Sequence, residues 1–246
     1  MQKQKFIKAY ARDFSIIMEE AWYYALSEGL WNILKLEIPK GYPNFYFFNK
    51  GLIEVWEDKN FIQEIMNAIL RRNSDIYFFQ GIFKRYAILI EELKNNRLKN
   101  FAYIDSLFEA ISIFAIFWYG IQDDRTKKEL QNRFVKIRDT DVIFDNNDKV
   151  VRQRLLAKFP KIKGFETAIL KDEFLSAIPK IDILKKRIKN FALIPGRYSR
   201  ITNLDNFTEE NNIKIEVFEK STSGFVKGTT AYPGVVIGRA RIIRRK

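Results

Sequence analysis

Phe101-Ala-Tyr-Ile-Asp-Ser-Leu-Phe-Glu-Ala-Ile-Ser-Ile-Phe-Ala-Ile-Phe-Trp-Tyr-Gly-Ile121 is the stretch on which the fold turns. Leu107, Ala110, Ile111, Phe114, Trp118 and Ile121 recur at helical spacing, and the residues between them are nearly as apolar. A helix apolar on almost every side belongs in the middle of a bundle. Its most apolar part, Ile111 to Ile121, is too short to span a bilayer. The flanking segments supply its expected neighbours. Upstream, Lys59–Arg72 repeats Phe61, Ile65 and Ile69 every fourth residue. Asp75–Lys94 follows, with Ile76, Phe79, Phe83, Ala87 and Ile90 on one side and Ser74 as its expected N-cap. Ile16, Ile17, Glu20 and Tyr24 begin a further amphipathic pattern. Downstream, a charged helix is expected over Arg125–Arg138 and another over Asn147–Phe159, with Val151, Leu155 and Phe159 inward. Shorter helices are expected at Lys171–Ile178 and Asp182–Lys189.

Strand signals are sparser. Asn44 to Trp56 is short and aromatic, with Asn49-Lys-Gly51 as its turn, and reads as a small hairpin. Past Asn190, Phe191-Ala-Leu-Ile194 and Tyr198-Ser-Arg-Ile-Thr202 flank Pro195-Gly196 as a second hairpin. Ile213, Ile215 and Val217 alternate as a strand would. The expected fold class is therefore mainly α: a helical bundle followed by a small β-rich C-terminal segment. The expected division is a helical domain over 1–190, a hairpin and hinge over 191–226, and the start of a further domain over 227–246.

Composition narrows the chemistry. The chain has 246 residues, 47% of them hydrophobic and 22 of them Phe, enough for a substantial core. It contains no Cys and no His. Disulfides, thiolate metal sites, a Ser–His–Asp triad and an HExxH zinc site are thereby excluded, and no metal site is expected. Neither a P-loop nor GxGxxG occurs. Met1-Gln-Lys-Gln-Lys-Phe does not read as a signal peptide, so a cytoplasmic location without membrane contact is expected. Charge is unevenly spread. Residues 1–123 hold 15 Lys/Arg and 15 Asp/Glu, whereas residues 124–246 hold 28 and 15. A basic half attracts nucleic acid or an acidic partner, although no aromatic–basic recognition motif accompanies it, and a solvated Lys-rich surface is the plainer reading.

The C-terminal stretch Lys227-Gly-Thr-Thr-Ala-Tyr-Pro-Gly-Val-Val-Ile-Gly-Arg-Ala-Arg-Ile-Ile-Arg-Arg245 is the most distinctive motif. Pro233-Gly234 is a natural turn pair. After it, Val236, Gly238, Ala240 and Ile242 share one face of an extended strand, small enough for another layer to approach closely. By itself this also describes an ordinary hairpin. The pattern Gly228-x-x-Ala231-x-Pro233-Gly234-x-x-x-Gly238-x-Ala240 resembles the start of the swivelling domain of phosphoenolpyruvate-utilising enzymes, such as phosphoenolpyruvate synthase and pyruvate phosphate dikinase. Tyr10-Ala-Arg-Asp-Phe-Ser15, Lys136-Ile-Arg-Asp-Thr140 leading into Val150-Val-Arg-Gln-Arg154, and Leu170-Lys-Asp-Glu-Phe174 followed by Lys185-Lys-Arg-Ile-Lys189 are similar to a helical region that precedes that domain in some relatives.

The resemblance implies a domain that carries a phosphoryl group on histidine, with Gly228, Ala231, Pro233, Gly234 and Gly238 setting its turns. No position here matches the carrier histidine, which in the family lies several strands further on. The ATP-grasp and phosphoenolpyruvate-handling domains are also unmatched. The chain is thus expected to be an N-terminal piece of a longer protein or a degenerate relative. It would be inactive alone and bind no cofactor itself, with ATP and Mg implied only for the family. Its expected partners are the remainder of the mobile domain and a separate ATP-grasp protein. Ser221-Thr-Ser-Gly224 falls where a hinge is needed.

Few other residues invite a chemical role. Arg239 and Arg241, on one strand face, are candidate phosphate contacts, or else charges that discourage edge pairing. Asp123-Asp124 and Glu91-Glu92 point in different directions on a helix and read as solvated surface. The four Trp read as core rather than as a cofactor box. No catalytic residue is assigned. The alternative function is a non-enzymatic basic helical protein that engages nucleic acid or an acidic partner.

Overall fold

The computed structural model describes residues 4–49, 51–94, 98–140 and 143–216. The chain opens with β1 (Lys5–Arg12), then α1 (Ile16–Tyr24), which passes through a π-helical turn over Ala25–Gly29 into α2 (Leu30–Leu34). An antiparallel hairpin follows, β2 (Asn44–Asn49) and β3 (Leu52–Asp58), as its aromatic run and turn predicted, with Gly51 at φ +86°. Five helices come next: α3 (Lys59–Arg71), α4 (Ile76–Lys94), α5 (Asn100–Ile121), α6 (Lys128–Thr140) and α7 (Ile143–Lys158). The short helices α8 (Lys171–Leu175) and α9 (Ile181–Arg187) lead to the hairpin of β4 (Asn190–Ile194) and β5 (Tyr198–Arg200). Then come α10 (Leu204–Glu210) and β6 (Lys214–Glu216).

The expectation of a helical bundle with a small C-terminal β segment is corrected here. The strands form one six-stranded mixed sheet in the order β5-β4-β2-β3-β1-β6, and the fold is mixed α/β. Two features hid this from the sequence. β1 (Lys-Phe-Ile-Lys-Ala-Tyr-Ala-Arg) has no continuous alternation of apolar and polar residues. The sheet is also closed by distant pairings: β2 with β4 (Tyr46 opposite Leu193), and β1 with β6, parallel (Phe6 opposite Ile215). Local pattern carries no signal for partners about 150 and about 210 residues apart.

Helix α5 is the hub of the helical layer, as its composition predicted. It is long and apolar enough to cross a membrane, but its most apolar window is 61% buried among its neighbours. Phe117 stacks on Phe83 at 5.3 Å and on Phe134 at 5.2 Å, which ties α5 to α4 and α6. Gly120 is required there, since a Cβ at that position would lie 2.6 Å from the Phe134 ring. Asp58, the last residue of β3, caps α3 by accepting from the N–H groups of Asn60 (2.8 Å) and Phe61 (3.2 Å). At α4 the cap is Asp75, which accepts from Phe78 N–H at 3.0 Å, rather than the predicted Ser74.

Candidate functional site

A β-bulge builds the most chemically distinctive place in the molecule. β1 and β3 pair with Lys8 opposite Trp56 and Tyr10 opposite Val55, so Ala9 is an extra residue. An unbroken strand would put Lys8, Tyr10 and Arg12 on one face. The extra residue reverses the alternation, as bulges beside functional sites commonly do. Lys8 stays on the face covered by α10, where its Nζ meets Glu54 Oε1 at 2.6 Å. Tyr10 and Arg12 turn to the opposite, helix-facing side, together with Glu57 of β3 and Asn44 and Tyr46 of β2.

Arg12 is held firmly there. Its Nε donates to Glu19 Oε1 at 2.8 Å and its Nη2 to Glu19 Oε2 at 3.2 Å, a bidentate pair with α1. Its guanidinium lies 4.6 Å from the ring centre of Tyr10, 4.4 Å from that of Phe14 and 5.1 Å from that of Phe144. The Glu19 side chain is 0% exposed and that of Arg12 is 25% exposed. Burial works against the charge of Arg12, but Glu19, joined by Tyr10 and Tyr46, outweighs it and holds the guanidinium above its ordinary pKa.

The second carboxyl is Glu57, half-buried, opposite Asn44 of β2 and near the hydroxyl of Tyr119 on α5. Burial pushes it up to about 7, the nearby charge of Glu19 adds to the rise, and Arg12 and the Tyr119 hydroxyl oppose it. Burial likewise raises Tyr10, Tyr46 and Tyr119. Tyr10, Arg12 and Glu57 all keep some accessible surface although desolvation is the largest influence on each. They lie together near helices α1 and α5. Two polar atoms around them, Asn44 Oδ1 and Trp22 Nε1, are enclosed and find no hydrogen-bond partner among the described residues. One guanidinium, a carboxylate bound to it and a second carboxyl that titrates near neutrality make an acid–base arrangement.

A further carboxyl, the half-buried Glu20, lies on α1 and accepts from Lys171 N–H at 2.6 Å. Burial raises it to about 8, the Lys171 N–H and ammonium oppose the rise, and Asp172 and Glu173 add to it. Beside it, Glu173 takes both Nη1 (2.7 Å) and Nη2 (2.9 Å) of Arg187, joining α8 to α9. This second group is structural, because its charged members are spent on one another.

The predicted motif residues Gly228, Ala231, Pro233, Gly234 and Gly238, the candidate phosphate contacts Arg239 and Arg241, and the hinge Ser221–Gly224 lie outside the described residues. Trp22, Trp31 and Trp56 are core residues, as expected. Asp123 is engaged by Arg125, at 2.6 Å between Oδ2 and Nη2. The carboxyls that do come together, Glu19 and Glu57, stand on different elements and were not singled out in the sequence. Only the bulge aligns them with Arg12, and no local pattern announces a bulge. Comparison with protein-family models, with curated proteins and with solved structures finds no match in any of the three.

Proposed function

We propose that this chain is the front portion of a cytoplasmic, phosphoenolpyruvate-synthase-like phosphotransfer protein. In this reading the α/β body precedes a mobile phosphohistidine domain that opens at Lys227. The observation that carries the reading is the motif Gly228-x-x-Ala231-x-Pro233-Gly234-x-x-x-Gly238-x-Ala240, preceded by the small-residue linker Ser221-Thr-Ser-Gly224. The turn at Pro233-Gly234 and the small face that follows suit a strand against which another layer packs closely. Gly228, Ala231, Pro233, Gly234 and Gly238 shape the turns, and Arg239 and Arg241 contact phosphate. The 246 residues themselves are non-catalytic, because they contain no histidine to phosphorylate. ATP and Mg act in the parent protein, through a separate ATP-grasp partner.

The test is to extend the reading frame past the Lys246 codon, express the whole product, and incubate it with labelled phosphoenolpyruvate, or with labelled ATP and an ATP-grasp partner. Acid-labile, base-stable label on the longer product and none on residues 1–246 is the expected result. A stop codon directly after Lys246, or label on the histidine-free chain, overturns the reading.

A second reading rests on charge. Residues 124–246 carry 28 Lys/Arg against 15 Asp/Glu, with Lys185 and Lys186 of α9 among the exposed ones. In this reading the basic half binds nucleic acid or an acidic partner without catalysis. RNA affinity that falls steeply with added salt supports it, and no binding at low salt removes it.

A further inference from the structure

We infer that α9, the start of β3 and the residue after β5 form a face that docks on an anionic lipid surface. The inference concerns the α/β body alone. It does not depend on what the C-terminal motif does, and it gives the lysines of α9 to lipid rather than to nucleic acid.

Strand register assembles the face. Asn49 of β2 pairs with Asn190 of β4, and Ala192 of β4 with Arg200 of β5, so Ile201 emerges beside the start of β4. The N–H of Gly51 donates to the carbonyl oxygen of Ile188 at 3.0 Å, which brings the start of β3 against the C-terminal end of α9. Leu52, Lys189 and Ile201 thus share one end of the sheet. There β5 and β3 stand three strand spacings, roughly 14 Å, apart. Helix α9 extends the same end. It buries Leu184 and Arg187 and leaves Ile181, Ile183, Lys185 and Lys186 in solvent.

Single exposed aliphatic side chains are ordinary. Here Leu52 is 46% exposed, Ile201 47% and Ile183 40%, on elements that meet and among uncommitted cations. Residues 180–189 read Lys-Ile-Asp-Ile-Leu-Lys-Lys-Arg-Ile-Lys. Arg187 is taken by Glu173, Lys185 lies 3.5 Å from Asp182, and Arg200, next to Ile201, lies 3.7 Å from Glu210. Lys180, Lys186 and Lys189 are exposed and have no carboxylate partner among the described residues.

This chemistry selects the occupant. Protein interfaces are rich in aromatic residues and Arg and poor in Lys, and single-stranded nucleic acid is held on aromatic platforms. On this face the exposed apolar residues are aliphatic and the unpaired cations are lysines. A lysine carries its ammonium to a phosphate headgroup on a long apolar stem, while aliphatic side chains enter the acyl boundary beneath. The positive charge complements a leaflet of anionic lipid.

Co-sedimentation of the whole chain with vesicles tests this, using phosphatidylcholine alone and phosphatidylcholine with about one-third phosphatidylserine. Binding is expected only to the vesicles that contain phosphatidylserine. Ile183→Ser combined with Ile201→Ser should weaken it about tenfold and leave heparin binding unchanged, since only lipid takes up the aliphatic side chains. Lys186→Glu combined with Lys189→Glu should weaken it more than tenfold, at about fivefold for each lysine lost. All four positions are exposed, and an unchanged circular dichroism spectrum checks that the variants fold. Equal vesicle binding by the parent and the aliphatic variant overturns the proposal, because charge alone then accounts for adsorption. So does affinity for RNA with none for either vesicle, which assigns the lysines to nucleic acid.

Discussion

Glu19→Gln should destabilise the protein by an amount that shrinks as pH rises. The side chain of Glu19 is fully buried and takes two N–H groups of Arg12, at 2.8 and 3.2 Å. Glutamine retains one oxygen acceptor but turns its amide donor toward a guanidinium, leaving a cation uncompensated. Removing one partner of a buried pair costs about 3–5 kcal/mol, and that is the loss expected at pH 5. Glu57 then changes the outcome. Its folded carboxyl lies at about 7 against an ordinary 4.5, so its stabilising contribution is complete below 4.5 and is lost as pH rises through about 7. At about 1.4 kcal/mol per tenfold, the parent protein carries a penalty of about 3 kcal/mol at pH 8 for ionising Glu57. In Glu19→Gln the repulsion from Glu19 disappears and Arg12 becomes a free partner for Glu57, so much of that penalty is relieved. The cost of the substitution should therefore fall by up to about 3 kcal/mol between pH 5 and pH 8. Urea melts of parent and variant at both pH values measure it directly. A cost that stays constant or grows with pH would refute the idea that the two carboxyls compete for one arginine.

Two further outcomes follow from the packing and from Glu20. Glu20→Gln keeps an oxygen for Lys171 N–H but cannot ionise. Because the folded carboxyl lies at about 8, the variant should match the parent at pH 4 and exceed its stability by about 3–5 kcal/mol at pH 9. Equal thermal midpoints at pH 9 would show that Glu20 is not held protonated. Gly29→Ala should lose about 1–3 kcal/mol by overpacking, since its Cβ would stand 2.7 Å from Ser112 Cβ. Ser112→Gly introduced with it should recover part of that loss in the same melts, and no recovery would mean the close approach of these helices is not the constraint.

The helices were legible because their signal is local. Phe61, Ile65 and Ile69 lie on one stripe of α3, and α5 is apolar enough on every side to declare itself central. Both hairpins could be read from turn residues, with Gly51 and Gly196 at positive φ as such turns require. The sheet as a whole could not. Pairing of β2 with β4 and of β1 with β6 depends on chain paths, and β1 looks like a continuation of polar sequence until its partners are known. The acid–base cluster was harder still. Its residues come from Tyr10, Arg12, Glu19, Glu57 and Tyr119, and a single extra residue, Ala9, decides which face two of them occupy. Carboxyls raised toward neutrality leave no mark in composition, because Glu57 and Glu64 are the same letter in the sequence and differ only in what surrounds them.

The parallel pairing of β1 with β6 has a consequence for biosynthesis. β1 and β3 can join once about residue 58 has emerged, but β6 is made only at residues 214–216. At roughly 5–20 residues per second, the outer edge of the first strand waits about ten to thirty seconds on the ribosome with its backbone groups unpaired. Lys5 and Lys8 punctuate that edge, and charged side chains of this kind discourage a neighbouring nascent chain from docking there before the proper partner arrives. The strand made first is among the last to be completed, and its lysines serve the growing chain as much as the finished one.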